Sequence, residues 1–180
     1  MPLLNSVTTP YAEALLQVVS ENDQTEEMVK EVKQLLSLIN VSPYLEKTLS
    51  SPVLETDTKK KIIIEIFSEK INSSLLNFLK LLADRQRIGI VTSILDRFLE
   101  IYRENSNIAL ATVTSAVQLT DDQKGLITKK IINIAGTEKL ELVTKIDPSL
   151  IGGFVASVGS KVIDASLASQ IRKLGLSLSK

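Results

Sequence analysis

The chain contains neither cysteine nor histidine, and those two absences remove most of the side chains from which active sites are built. Without thiolate or imidazole there is no zinc tetrad, no cysteine nucleophile, no serine–histidine pair and no side chain that ordinarily titrates near neutrality. Disulfides are excluded as well, so nothing marks an oxidising compartment. Aromatic residues make up only 4%, too few for the stacking platforms that hold single-stranded nucleic acid. Charge of one sign is also missing. Lys+Arg and Asp+Glu both number 21, which leaves no net positive field for a polyanion and no acidic tail. No apolar run approaches the ~18 residues of a membrane-spanning helix. The opening MPLLNSVTTPYAEALL lacks the basic start and apolar stretch of a secretory leader and the arginines of an import leader. Direct membrane insertion is therefore not expected, and any membrane association must come through a partner.

What is present is apolar residue in quantity, 44% of 180, arranged first with helical and then with alternating period. Thr8 or Thr9 followed by Pro10 predicts a helix start, because a hydroxyl can cap free amides and proline loses nothing in the first turn. The helix runs to about Ser20. Its apolar residues form two neighbouring stripes, Tyr11, Ala14, Leu15 and Val18 beside Ala12, Leu16 and Val19, a wider face than a surface helix needs. Further helices are predicted from Thr25 to Asn40, from Pro43 to Leu49, from Thr56 or Asp57 through Phe67, from Leu75 through Leu82, and from Ile88 to Arg103. The Leu75–Leu82 stretch is apolar on almost every side, relieved only by Asn77 and Lys80, so it must be covered all round. The Lys59-Lys60-Lys61 run has no aromatic or glycine-rich companion and reads as a solvated helix face. Six helices with short connections predict a bundle ending near Asn105.

After Asn105 the period changes to two, and the expected boundary separates residues 1–105 from residues 106–180. Ile108 to Val117 suits a strand, with Ala109, Ala111, Val113 and Ser115 on one face. Thr120-Asp121-Asp122-Gln123 forms a capping box, which accounts for the paired carboxylates without catalysis. That helix ends at Gly136, and Lys139 to Ile146 returns as a strand expected to neighbour the hairpin that follows. Gly152-Gly153 introduce Phe154–Val158, Gly159-Ser160 reverse the chain, and Lys161–Ile163 form the second arm. Asp164 or Ser166 can cap a last helix with Leu167, Ile171, Leu174 and Leu178 on one side. The spacing of these glycines fits neither a Walker loop nor a dinucleotide fingerprint, so turn geometry explains them. The expected fold class is α+β: a six-helix bundle followed by a small domain of about four strands and two helices. No catalytic residue, cofactor or metal ligand is predicted.

The order I-D-P-S-L-I-G-G-F, V-G-S-K-V-I-D-A-S and S-Q-I-R-K-L resembles the C-terminal signature of the delta subunit of rotary ATP synthases, the family that includes the oligomycin-sensitivity-conferring protein. The segments Tyr11-Ala12-Glu13-Ala14-Leu15 and Asn77 to Asp84 with Arg87 are similar to that family's first helix and middle helical pair. The resemblance implies a non-catalytic stator subunit, one copy per complex, with its bundle on N-terminal helices of the head's alpha subunits. Its C-terminal domain would join b-type subunits of the peripheral stalk, the last helix and hairpin being the natural candidates for contact. Tyr11, Ala14, Leu15 and Val18 with Phe78, Leu79 and Leu82 are the expected groove for an alpha-subunit helix. The missing leader favours a bacterial or organelle-encoded subunit, and the Met-Pro-Leu-Leu opening resembles photosynthetic members, which implies a peripheral position on the cytoplasmic or stromal face of a thylakoid or plasma membrane. An RNA-binding antitermination-like bundle is the alternative, and would need a basic stripe and stacking aromatics.

Overall fold

The structure, a computed structural model, describes residues 2–21, 24–137 and 139–178. The chain divides into two compact units, the first extending through Tyr102 and the second beginning at Arg103. Among the described residues there are eight α-helices and one four-stranded sheet, a mixed α+β architecture.

The helices of the first part are α1 (Pro2–Glu21), α2 (Thr25–Val41), α3 (Pro43–Ser50), α4 (Thr56–Phe67), α5 (Ser73–Asp84) and α6 (Val91–Asn105), the last preceded by one 3₁₀ turn at Ile88–Ile90. Each contributes one apolar stripe to a common core: Met28, Val32, Leu35 and Ile39 from α2, Ile63 and Phe67 from α4, Ile94, Leu95 and Phe98 from α6. Burying each such side chain is worth roughly 1.5–3 kcal/mol before chain entropy is counted, so the core outweighs any single polar contact. The connections are tied by specific bonds. The Asn72 side chain accepts the Ser74 amide at 3.0 Å to cap α5, and Glu31 of α2 accepts the Asn72 amide at 2.9 Å. Lys60 of α4 pairs with Asp84 of α5 at the surface, so one member of the lysine run meets a carboxylate of the next helix, a contact that adds little to the core. At the end of α5 the Arg87 amide reaches the Leu82 carbonyl and the Gln86 amide that of Ala83, a left-handed cap that Gln86 enters at φ 55°.

The helix start predicted at Pro10 is corrected. α1 already runs from Pro2, with Pro10 inside it. The threonines pack instead of capping: Thr8 is buried, and Thr9 Oγ1 accepts a hydrogen bond from Arg97 Nε of α6 at 3.3 Å. Those tertiary contacts offset the amide bond that an internal proline forfeits.

The second unit follows the order β1 (Ile108–Ser115), α7 (Asp121–Ala135), β2 (Lys139–Ile146), β3 (Phe154–Val158), β4 (Lys161–Asp164), α8 (Leu167–Leu178). Thr120 and Gln123 exchange side-chain-to-backbone bonds at the start of α7, and Gly136 ends it in the left-handed conformation at φ 72°. The sheet order is β2-β1-β3-β4. β1 and β2 run parallel from Ile108↔Lys139 to Ser115↔Ile146, while β3 lies antiparallel to β1. The expectation that β2 neighbours the hairpin is therefore corrected, because β1 lies between them. A parallel pair needs a helical crossover, which α7 supplies, and β1 is left with its second edge open to β3. Central placement explains why Ala111 and Val113 are fully buried, against Ile127 and Ile131 of α7 and Ala156 and Val158 of β3. Asp164 accepts the Ser166 amide at 2.9 Å and Ser166 Oγ accepts that of Ser169 at 3.2 Å, which opens α8. The side chains of Leu174 and Leu178 lie outside the described residues.

Candidate docking surfaces

α1 carries more apolar residues than the core absorbs, and the structure shows which. Ala12, Leu15, Leu16 and Val19 turn inward and are buried. Tyr11 is half-buried, Ala14 is exposed, and Val18 is 49% exposed. These last three stand at i, i+3 and i+7, one strip along the outside of the helix. On α5 the inward side is Leu75, Phe78, Leu79, Leu82 and Ala83, and Leu81 is exposed on the other side.

Of the seven residues expected to line an alpha-helix groove, Tyr11, Ala14 and Val18 thus stand at the surface, Tyr11 half-buried and the other two exposed. Leu15, Phe78, Leu79 and Leu82 belong to the chain's own core. The physical reason is that a 12-residue helix in a small bundle commits its widest side chains inward, since the hydrophobic gain there needs no partner. A separate open groove of about 490 Å³ is lined by Leu38, Tyr44 and Leu45 from α2 and α3 and by Ile62 and Ile66 from α4.

In the second unit several apolar side chains fall outside the small core. Leu126 and Ile134 of α7, Val162 of β4, and Leu167 and Ile171 of α8 are exposed, as are Val117 and Ile151 in the loops. A groove of about 620 Å³ opens between α7 and the adjoining ends of β1 and β3. Its apolar lining includes Val117, Leu126, Ile127, Ile151 and Phe154. Sequence reasoning looked to the hairpin and α8 and missed this groove. The available signal was Leu126, which falls off the Ile127–Ile131 stripe and so has no core to enter. Asp147 accepts the Ser149 amide at 3.0 Å, and the hydrogen bonds from Ser149 hold its carboxyl below the usual carboxylate range. Asp121 is lowered likewise, by the hydrogen bond and charge of Lys124. Both groups serve helix or turn starts. No cluster of His, Cys, Asp or Glu among the described residues could hold a metal ion, and no described helix is long and apolar enough to cross a membrane.

A helical bundle joined to a small α/β unit, both with apolar residues left over on the outside, is the architecture of a scaffolding subunit. Comparison with known proteins makes this specific. The sequence matches the ATP synthase delta (OSCP) subunit family over residues 7–178. ATP synthase subunit delta of Prochlorococcus marinus subsp. pastoris is 98% identical over the full length of both chains. The subunit of that name from Prochlorococcus marinus strain MIT 9515 is 93% identical over the full length of both, and that from strain SARG is 57% identical over all of this chain and 98% of its own. Among solved structures, a chain of the Toxoplasma gondii mitochondrial ATP synthase hexamer shares the fold, with a TM-score of 0.71 at 18% identity, covering 96% of this chain and 97% of its own. The chain belongs to the ATP synthase delta (OSCP) subunit family and is a structural, stator component of that complex. None of these matches points towards RNA binding.

Proposed function

We propose that the chain straps the catalytic head of the ATP synthase to its peripheral stalk, so that the head stays still while the central shaft turns inside it. Residues 1–105 hold N-terminal helices of the head's alpha subunits, and residues 106–180 hold the b-type stalk subunits. The chain makes and breaks no bonds of its own. One copy serves each complex, held peripherally on the cytoplasmic or stromal face of a thylakoid or plasma membrane through its partners.

The observation that carries the first contact is the strip Tyr11, Ala14, Val18 on a helix whose opposite side is already core. A partner helix laid along it meets one aromatic, one small and one branched side chain, the knob-and-gap relief that helices pack into. Leu15, Phe78, Leu79 and Leu82 support that relief from inside the bundle, because tight packing makes the surface rigid. The small residue at the centre matters most, since it allows close approach.

Ala14→Asp places an unpaired carboxylate at that centre while leaving the core intact. Calorimetry with a peptide of the alpha-subunit N-terminus should show at least about a tenfold weaker association, the loss expected for a central contact. Unchanged affinity would exclude the strip.

A further inference from the structure

Ile151 is held in a backbone conformation that its side chain disfavours. It has φ 59° and ψ −41°, and the Gly152 amide bonds back to the Leu150 carbonyl. That is a three-residue γ-turn of the rare, strained hand, with a β-branched residue at its tip. Strain of this kind persists only where the surroundings enforce it. On one side the chain is tied to the end of β1: the Asp147 amide reaches the Ser115 carbonyl at 2.8 Å, and the Leu150 amide reaches the Asp147 carbonyl at 3.2 Å. On the other side it lies against the start of α8. Gly152 accepts the Leu167 amide at 3.0 Å and Phe154 accepts that of Ala165 at 3.0 Å. A Cβ on Gly153 would fall on the Ala165 carbonyl oxygen, and one on Gly152 would meet Leu167 Cδ1 at 2.6 Å. The start of α8 is itself fixed, because Ser166 is buried and its Oγ accepts the Ser169 amide. Residues 151–154, backed in this way, are also one wall of the groove beside α7.

We propose that the turn and the start of α8 form a latch that sets the shape of this wall. With α8 seated, residues 165–167 press on Gly152 and Gly153 and hold Ile151 at positive φ, its side chain exposed and lining the groove. With α8 lifted, the constraint is gone, Ile151 returns to negative φ, and the groove loses this part of its lining. The position of α8 and the shape of the wall are then two faces of one equilibrium. Coupling of this kind is reciprocal: a push that moves Ile151 out of its strained angle loosens α8, and a pull on α8 reshapes the wall. The device is internal to the second unit and holds whatever the chain binds.

The test is nuclear magnetic resonance on the full chain. A positive φ gives a strong Overhauser effect between a residue's own amide and Hα protons, and the wild-type chain should show it at Ile151. Leu167→Pro removes the amide that Gly152 accepts, yet stands at the first position of α8, where proline is tolerated. It should unseat the helix start, abolish the Ile151 signal and speed exchange of the Gly152 amide by about tenfold or more, as local opening does. The reverse direction is read from two gentler variants. Ile151→Gly relieves the strain, whereas Ile151→Ala loses the same side-chain contacts and keeps a Cβ at positive φ. The Leu167, Ser169 and Gln170 amides should exchange at least about threefold more slowly in I151G than in I151A, after the added freedom of glycine is counted, with the α7 amides equal in both. Retention of the Ile151 signal in Leu167→Pro means that the turn is set without α8 and overturns the latch. Equal exchange of the three amides in the two Ile151 variants also overturns it, and that comparison decides alone should Leu167→Pro not fold. Absence of the signal from the wild-type chain overturns it as well.

Discussion

Leu15 and Val18 sit three residues apart on one helix and serve opposite ends. Leu15 and, across the bundle, Leu82 are packed inside, whereas Val18 is half exposed. Truncating a packed leucine removes transfer energy and leaves a cavity, so Leu82→Ala should lower stability by about 2–5 kcal/mol. Val18→Ala leaves no cavity and should change stability by less than about 0.5 kcal/mol. Urea unfolding followed by circular dichroism measures both. Equal losses would mean that the division of α1 into a core side and an exposed side is wrong. The sequence showed that α1 has two stripes but not which is covered, because periodicity records polarity and is blind to what neighbouring helices bring. For the same reason Phe78 and Leu79 looked like groove residues: an all-round apolar helix does not announce that its Leu81 side is the open one.

At the scale of elements, local chemistry was the readable part. The capping box at Thr120, the left-handed end at Gly136 and the reversal at Gly159-Ser160 all depend on residues adjacent in sequence, and all stand where expected. Strand order was not readable, since β1 pairs with β3 across more than one intervening element and nothing local to β2 says it takes the edge. The start of α1 was hidden too, because Thr9-Pro10 reads locally as a helix start, whereas Thr9 in fact meets Arg97 of a distant helix. The Gly152-Gly153 turn joins the two scales: its glycines are visible in sequence, and its need for them comes from α8 lying against it. Gly153→Ala must adopt φ 78° and displace the Ala165 carbonyl, so it should cost more than about 1 kcal/mol. Hydrogen exchange should show the loss concentrated in β3, β4 and the start of α8, while the amides of α2 and α6 keep their protection. Loss spread evenly over both units would contradict the turn's local role.

At the scale of the whole molecule, the absences found first in the sequence and the surfaces found last in the structure have one explanation. A chain without cysteine or histidine has little with which to do chemistry near neutrality. A chain with apolar strips on two separate units has much with which to hold other proteins. Family membership places both units in the stator of an ATP synthase, and holding is what a stator requires. The decisive measurement is proton pumping driven by ATP in membrane vesicles carrying the synthase with and without this chain. The account expects hydrolysis to continue without it and pumping to vanish, with pumping restored when the purified chain is added back. Full pumping in its absence would contradict the account.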